Sequence, residues 1–152
     1  MDFTRMSRPE PPPLIGALLR LPANAVQRRI IAGLNRAGFD DLRPPHINAF
    51  LYPGPDGYRP SELAERAGMT KQAMNQLLQS LERLGYLRRS DADEADGRAR
   101  VVHFTERGHA AYTRINDVLA EIEVEWRAQL GDEKFNRLKE LLSDVWETDL
   151  VL

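Results

Sequence analysis

Ser61-Glu62-Leu63-Ala64-Glu65-Arg66-Ala67-Gly68-Met69-Thr70-Lys71-Gln72 is the stretch whose reading decides the fold. Ser61 has a side chain suited to an N-cap, Glu62 suits the first turn of a helix, and Gly68 supplies a left-handed stop. Two residues later Thr70 is the next N-cap. The segment from there to Leu84 carries apolar residues at Met74, Leu77, Leu78, Leu81 and Leu84, which is helical spacing, and Gly85 ends it. Two short helices joined by a tight turn containing glycine mark a helix-turn-helix. The second helix has an apolar face that must pack inward. Its other face, over the first turns, is Thr70, Lys71, Gln72, Asn75, Gln76 and Gln79, almost free of carboxylates. Base edges in a major groove ask for such side chains: Asn and Gln pair with adenine, Lys with guanine, Thr with either. An ordinary solvent face here would carry Glu and Arg, as residues 82 and 83 do. Ser61, at the start of the first helix, joins the candidate contacts.

Downstream lie two candidate strands, Tyr86–Arg89 and Arg100–Phe104, joined by a polar loop, Ser90 to Ala99. A helix-turn-helix followed by a two-stranded ribbon is a winged helix. Arg98 and Arg100 fall at or just past the ribbon tip, where an arginine can enter a narrow minor groove. Asp91, Asp93, Glu94 and Asp96 precede them and repel phosphate unless they face water or hold the arginines. Asp96 is placed to hold Arg98. Thr105 caps a long helix with an inner stripe of Ile115, Val118, Leu119, Ile122 and Trp126. Gly131 breaks it, and a last helix carries Phe135, Leu138, Leu141, Leu142, Val145 and Trp146. Upstream, residues 1–13 end in Pro11-Pro12-Pro13 and read as a disordered, extended arm. Residues 14–37 are helical, with Pro22 either kinking one helix or opening a second, and Gly38 ending it. A short helix over Pro45–Leu51 follows, closed by the turn at 53–57. The chain is mainly α with a small β-hairpin wing: an arm, then one domain over 14–152, with a lobe at about 43–104.

Composition narrows the functions. The 152 residues contain no cysteine, which removes thiol catalysis and Cys-ligated zinc and fits a reducing compartment. The longest early apolar run, Leu14 to Leu21, contains Arg20 and is too short for a bilayer or a secretory signal, so the expectation is a cytoplasmic protein without membrane contact. Net charge is −2 but unevenly spread: +3 over residues 1–60, zero over 61–104 and −5 over 105–152. A polyanion would meet the first two thirds of the chain. No phosphate loop or hydrolase motif is present, and His46, His103 and His109 fall in separate elements without metal-ligand spacing. The loop carboxylates lack a calcium-loop pattern. The expectation is a protein that is not an enzyme and holds no metal and no cofactor.

The run from Ser61 to Gln72, with Leu81-Glu-Arg-Leu-Gly-Tyr-Leu, Asp96-Gly-Arg-Ala-Arg-Val and Phe104-Thr-Glu-Arg-Gly, resembles the MarR family of bacterial transcriptional regulators over about residues 14 to 148. The resemblance implies a winged helix-turn-helix within an intertwined helical homodimer that binds a near-palindromic operator in double-stranded DNA. It implies a repressor, released by a small aromatic or anionic effector. Carried over by position, residues 70–79 are the recognition helix, Arg98 is the wing arginine of the minor groove, and Asp96 steadies it. Helices at 14–37 and 105–150 are the dimerisation elements. Their stripes nominate Ile30, Leu34, Ile122, Trp126, Leu138, Leu142 and Trp146 for the dimer interface. A pocket for an effector between the DNA-binding lobe and these helices would use Phe39, His46, Phe50, Tyr52 and Tyr112, which serve equally well as core. The acidic wing lacks the Asp-Pro common in this loop, and the absence of cysteine excludes peroxide sensing by a thiol. The competing expectation is a winged helix that binds protein and lacks specific DNA binding.

Overall fold

The computed structural model describes residues 11–50, 54–90 and 100–148. Helix α1 spans Ile15–Arg36, α2 Pro44–Ile47, α3 Pro60–Arg66, α4 Lys71–Arg83, α5 Glu106–Leu130 and α6 Asp132–Trp146. A single 3-10 turn, Asn48–Phe50, follows α2. Strands β1 (Leu87–Arg89) and β2 (Val102–Phe104) pair antiparallel, with Arg88 opposite His103.

Pro22 lies inside α1, which runs through it as one helix. Its ring nitrogen has no hydrogen to give the carbonyl four residues back, yet no fresh helix starts there. Ser61 is not the cap of α3. Pro60 opens that helix, because its fixed φ suits the first turn and it has no N–H to lose. The cap is Arg59, whose backbone N–H donates to Glu62 Oε2 at 2.8 Å. Thr70 does cap α4, its Oγ1 accepting from the Ala73 N–H at 3.1 Å. The turn between these helices closes at Gly68, φ +62°, where Gly68 N–H donates to Glu65 O and Met69 N–H to Ala64 O. This double return needs a left-handed residue, and glycine takes that conformation without a Cβ clash.

The core gathers under α4. Met74, Leu78 and Leu81 are buried, against Leu63 and Ala64 of α3, Ile47 and Phe50, and Leu87 and Val102 of the hairpin. The second half of α1 lies along α5, where Ile30 and Leu34 meet the stripe Ile115, Val118 and Ile122. At their crossing, a Cβ on Gly33 would come within 2.4 Å of Val118 Cγ2, so only a glycine lets the helices approach this closely. Leu34 and Ile122 are therefore interior residues of one chain and unavailable to a partner, while Ile30, buried as well, also borders the groove between α1 and α6. An amphipathic helix pair satisfies its own apolar stripes first, and α1 and α5 do so here.

The N-terminal half of α1 and the face of α6 are different. Leu14, Ile15, Leu18, Leu19 and Leu21 of the one, and Leu141, Leu142, Val145 and Trp146 of the other, are between 42 and 84% exposed. Phe135 is buried, and Leu138 and Trp126 are half-buried. An apolar groove of about 810 Å³ runs between these elements, with Ile15, Leu18, Leu138 and Leu142 among its walls.

Candidate nucleic-acid interface

The lobe that carries the candidate contacts is fixed from below by α4's buried face, so its upper face projects rigidly. Thr70, Lys71, Gln72, Gln76 and Gln79 are exposed along it, and Ser61 is exposed at the start of α3 beside Thr70 and Lys71. Glu62 and Glu65 share that corner. No other carboxylate stands on α4 before Glu82. The face offers one cation and several neutral donors and acceptors, the set that base edges require.

Asn75 sits differently from its neighbours. Its Nδ2 donates to Lys71 O at 3.0 Å, and its Oδ1 accepts from Arg89 Nη1 at 3.1 Å. Arg89 Nη2 also reaches Asn75 O at 3.4 Å. The Arg89 Nε lies 3.2 Å from Glu82 Oε1, within ion-pair reach, although its N–H is not aimed at an acceptor. Arg89 thus clamps the first wing strand to α4, half-buried, while Arg88 beside it is exposed. The sequence placed both arginines at a strand end without orienting them; alternation along β1 separates their roles.

The wing base is also tied to the turn before α3. Gly57 N–H donates to Val102 O at 2.7 Å, and Val102 N–H to Tyr58 O at 2.9 Å. Asp56 Oδ1 accepts the Phe104 N–H at 2.8 Å and stands 3.7 Å from His103 Nδ1. Ser90 N–H donates to Val101 O, so the ribbon continues past the strands toward its tip. Arg100 is exposed. Arg98 and Asp96 lie outside the described residues, as does the rest of 91–99.

The residues nominated for an effector pocket are packed together as core. Phe50 stacks on Phe104 at 6.2 Å, Tyr112 tilts against Phe104 at 5.1 Å, and Phe39 meets Tyr86 at 6.2 Å. His46 is buried: its Nδ1 accepts the Arg43 N–H at 3.0 Å and its Nε2 lies 3.0 Å from Ser80 Oγ of α4. With Nδ1 an acceptor, Nε2 carries the hydrogen and donates. Burial pushes the His46 pKa below the ordinary 6.5. None of these four lines the apolar groove, because aromatic rings bury more area against one another than at an opening. Tyr52 lies outside the described residues.

Sequence reading missed the polar node at Tyr86. Its hydroxyl donates to Asp41 Oδ1, and Arg107 Nη2 donates to Asp41 Oδ2 at 2.9 Å and to the Tyr86 oxygen at 3.0 Å. Burial first, then the carboxylate, pushes the phenol up to about 12. It also missed the bidentate pair Arg29–Glu125 between α1 and α5, which lowers the Glu125 pKa through the hydrogen bond. Nothing local marks these pairs, whose members are 45, 66 and 96 residues apart. Among the described residues no cluster of three metal-ligating side chains occurs, and no helix is long and apolar enough to cross a membrane.

A helix-turn-helix with a paired ribbon beyond it, flanked by helices on both sides in the chain, defines a winged-helix protein. The MarR family model matches residues 49–99, and the chain carries the winged-helix fold of the MarR transcriptional regulators. The MarR family protein Rv2887 of Mycobacterium tuberculosis, solved with salicylic acid, is 27% identical, covers 88% of this chain and 96% of its own, and superposes with a TM-score of 0.62. The repressor CouR bound to a 23-mer DNA duplex is 20% identical over 88% of this chain and 93% of its own, TM-score 0.68. The Staphylococcus aureus MepR–DNA complex is also 20% identical, over 88% and 96%, TM-score 0.67. No curated protein matches the chain.

Proposed function

We propose that this chain is a sequence-specific DNA-binding transcriptional regulator, a repressor without catalytic activity, that binds a near-palindromic operator as a homodimer. The observation that carries the reading is the exposed, carboxylate-poor face of α4: Lys71, Gln72, Gln76 and Gln79 on a helix whose opposite side is anchored in the core. Phosphate contacts from Lys71, Arg88 and Arg100 set affinity, and Gln72, Gln76 and Gln79 set sequence. Arg98 reaches the minor groove, with Asp96 holding it. The acid of the C-terminal third stays away from the duplex.

A second copy closes the apolar groove between α1 and α6. Leu138 and Leu142 keep their place in that interface, as does Trp146, exposed on α6; Trp126 and Ile30 border the groove, and Ile15, Leu18 and Leu19 replace the interior residues Leu34 and Ile122. An exposed apolar patch of this extent, bounded by charged residues, is characteristic of an association surface. Two recognition helices then stand about 34 Å apart, one duplex turn. An aromatic or anionic effector, of the kind that salicylic acid represents in the Rv2887 complex, releases the DNA.

Fluorescence anisotropy tests this with the duplex upstream of the chain's own gene and a scrambled duplex, at two salt concentrations. Tight binding to the first alone, falling steeply with salt as counterions are released, is the expected result. Equal and weak binding to both would overturn it and favour a protein partner.

A further inference from the structure

Three parts of the molecule meet at Tyr86. The recognition helix ends at Arg83, and the Tyr86 N–H returns to Leu81 O at 2.9 Å, fixing Tyr86 to the end of α4. The Tyr86 carbonyl accepts the N–H of Thr105, the cap of α5, at 3.1 Å. Its ring is buried between Phe39 and Phe50, with the Arg107 guanidinium 4.5 Å from the ring centre. Its hydroxyl is shared by Asp41, on the loop that leaves α1, and Arg107, in the first turn of α5. Arg107 and Asp41 also bond each other, at 2.9 Å.

A phenylalanine would fill the same space. The hydroxyl adds direction: a buried phenol needs a partner, and this one has a carboxylate and a guanidinium, both charge-assisted. Apolar packing alone lets elements slide by fractions of an ångström, whereas a closed triangle of hydrogen bonds admits one geometry. The triangle joins the end of the recognition helix to the two helices whose far portions line the open groove, α1 directly and α5 toward Trp126.

We propose that Asp41, Tyr86 and Arg107 are positioning residues that lock the recognition helix to α1 and α5, and so set the half-site spacing that the dimer accepts. The spacing part rests on the DNA-binding reading above; the lock does not.

Two measurements on the full chain separate these. The sequence has no cysteine, so Arg83→Cys with Asp117→Cys, both exposed, places a nitroxide pair across α4 and α5 without background. Diluting labelled with unlabelled chain keeps the measured distances within one protomer. A single narrow distance is expected in the parent, and a broader or second population in Tyr86→Phe and Asp41→Asn. Arg107→Lys, which keeps the charge but not the fork, provides a third variant. Circular dichroism checks that each is folded. An unchanged distribution in all folded variants would overturn the lock.

For spacing, duplexes enriched by the parent from a random library are rebuilt with the half-sites moved by one base pair. The parent should lose about tenfold in affinity on this shift and Tyr86→Phe less than about threefold, since the register of two recognition helices sets the accepted spacing. A parent that enriches no sequence would overturn the DNA reading and the spacing role while leaving the distance result standing. Enrichment with the same spacing penalty in every variant would overturn the spacing role alone.

Discussion

Replacing Gly108 by alanine tests the packing of α5 on the recognition lobe. Gly108 is buried in the first turn of α5. A Cβ there would stand 1.8 Å from the Tyr86 carbonyl oxygen and 2.9 Å from its carbon. The obstacle is backbone, so no side-chain rotation relieves it. The start of α5 must move away by more than an ångström, and the 3.1 Å bond from Thr105 N–H to that same carbonyl lies in the path. Overpacking costs about 1–3 kcal/mol, and a broken buried hydrogen bond adds about 0.5–1.5 kcal/mol. Alanine's helix preference returns at most about 1 kcal/mol. The net is about 2 kcal/mol of destabilisation, or about 4–8 °C in Tm for a chain of this length. Gly16→Ala is the control: it lies in α1 with nothing within 4 Å of its Cβ position, and its Tm should hold or rise. Both are read by thermal melting at one chain concentration, because association would shift Tm. A Gly108→Ala protein that melts at or above the parent would refute the close approach of α5 to Tyr86.

Other outcomes follow from the same geometry. His46 resists protonation in the folded state, so the unfolded chain takes up a proton first as pH falls below 6.5. Stability should fall from there until the lowered native pKa is passed, and His46→Gln should remove this component of the urea-midpoint difference between pH 7.5 and 5.5; an identical pH slope in the variant would count against it. Leu18→Glu with Leu142→Glu should weaken self-association at least about 30-fold, as loss of interface anchors does, seen by sedimentation; an unchanged dimer would move the interface elsewhere. Gln72→Ala should cost about 1–3 kcal/mol of discrimination at one base pair. Asn75→Ala should instead weaken all sequences alike, because its amide holds Arg89, and selection from a random library distinguishes the two. Arg98→Ala should lower affinity by about 1–3 kcal/mol if it enters a groove; an unchanged dissociation constant would remove it from the interface.

The elements of the winged-helix lobe were legible from residue chemistry because their signals are local. Thr70 caps whatever helix follows it, Gly68 turns left-handed wherever a tight stop is needed, and Met74, Leu78 and Leu81 fall on one side at any helical pitch. Thr105 and Gly131 mark the ends of α5 in the same way. Some boundaries differed: Ser61 is not the cap because Pro60 takes the first turn one residue earlier, the helix expected over Pro45–Leu51 is α only over Pro44–Ile47 before a 3-10 turn, and the second strand starts at Val102 instead of Arg100.

The candidate site was nominated by exclusion on α4, where the polar, carboxylate-poor face had no structural use that the sequence could name. Asn75 shows where that stops. Its place on the helix matched its neighbours, and only the return of β1, fourteen residues on, brought Arg89 to its amide.

What the sequence determined by itself, then, is periodicity, capping and the chemistry of one exposed helix face, all fixed by residues within a turn or two of each other. What only the tertiary structure decided is which apolar stripe pairs with which. Ile30, Leu34 and Ile122 share their hydrophobicity with Leu18, Leu142 and Trp146, and no local property separates them. The crossing of α1 on α5 at Gly33 buries the first set and leaves the second exposed. The Tyr86 node belongs with them, since Asp41 and Arg107 come together only when both ends of the chain have packed on the lobe between them.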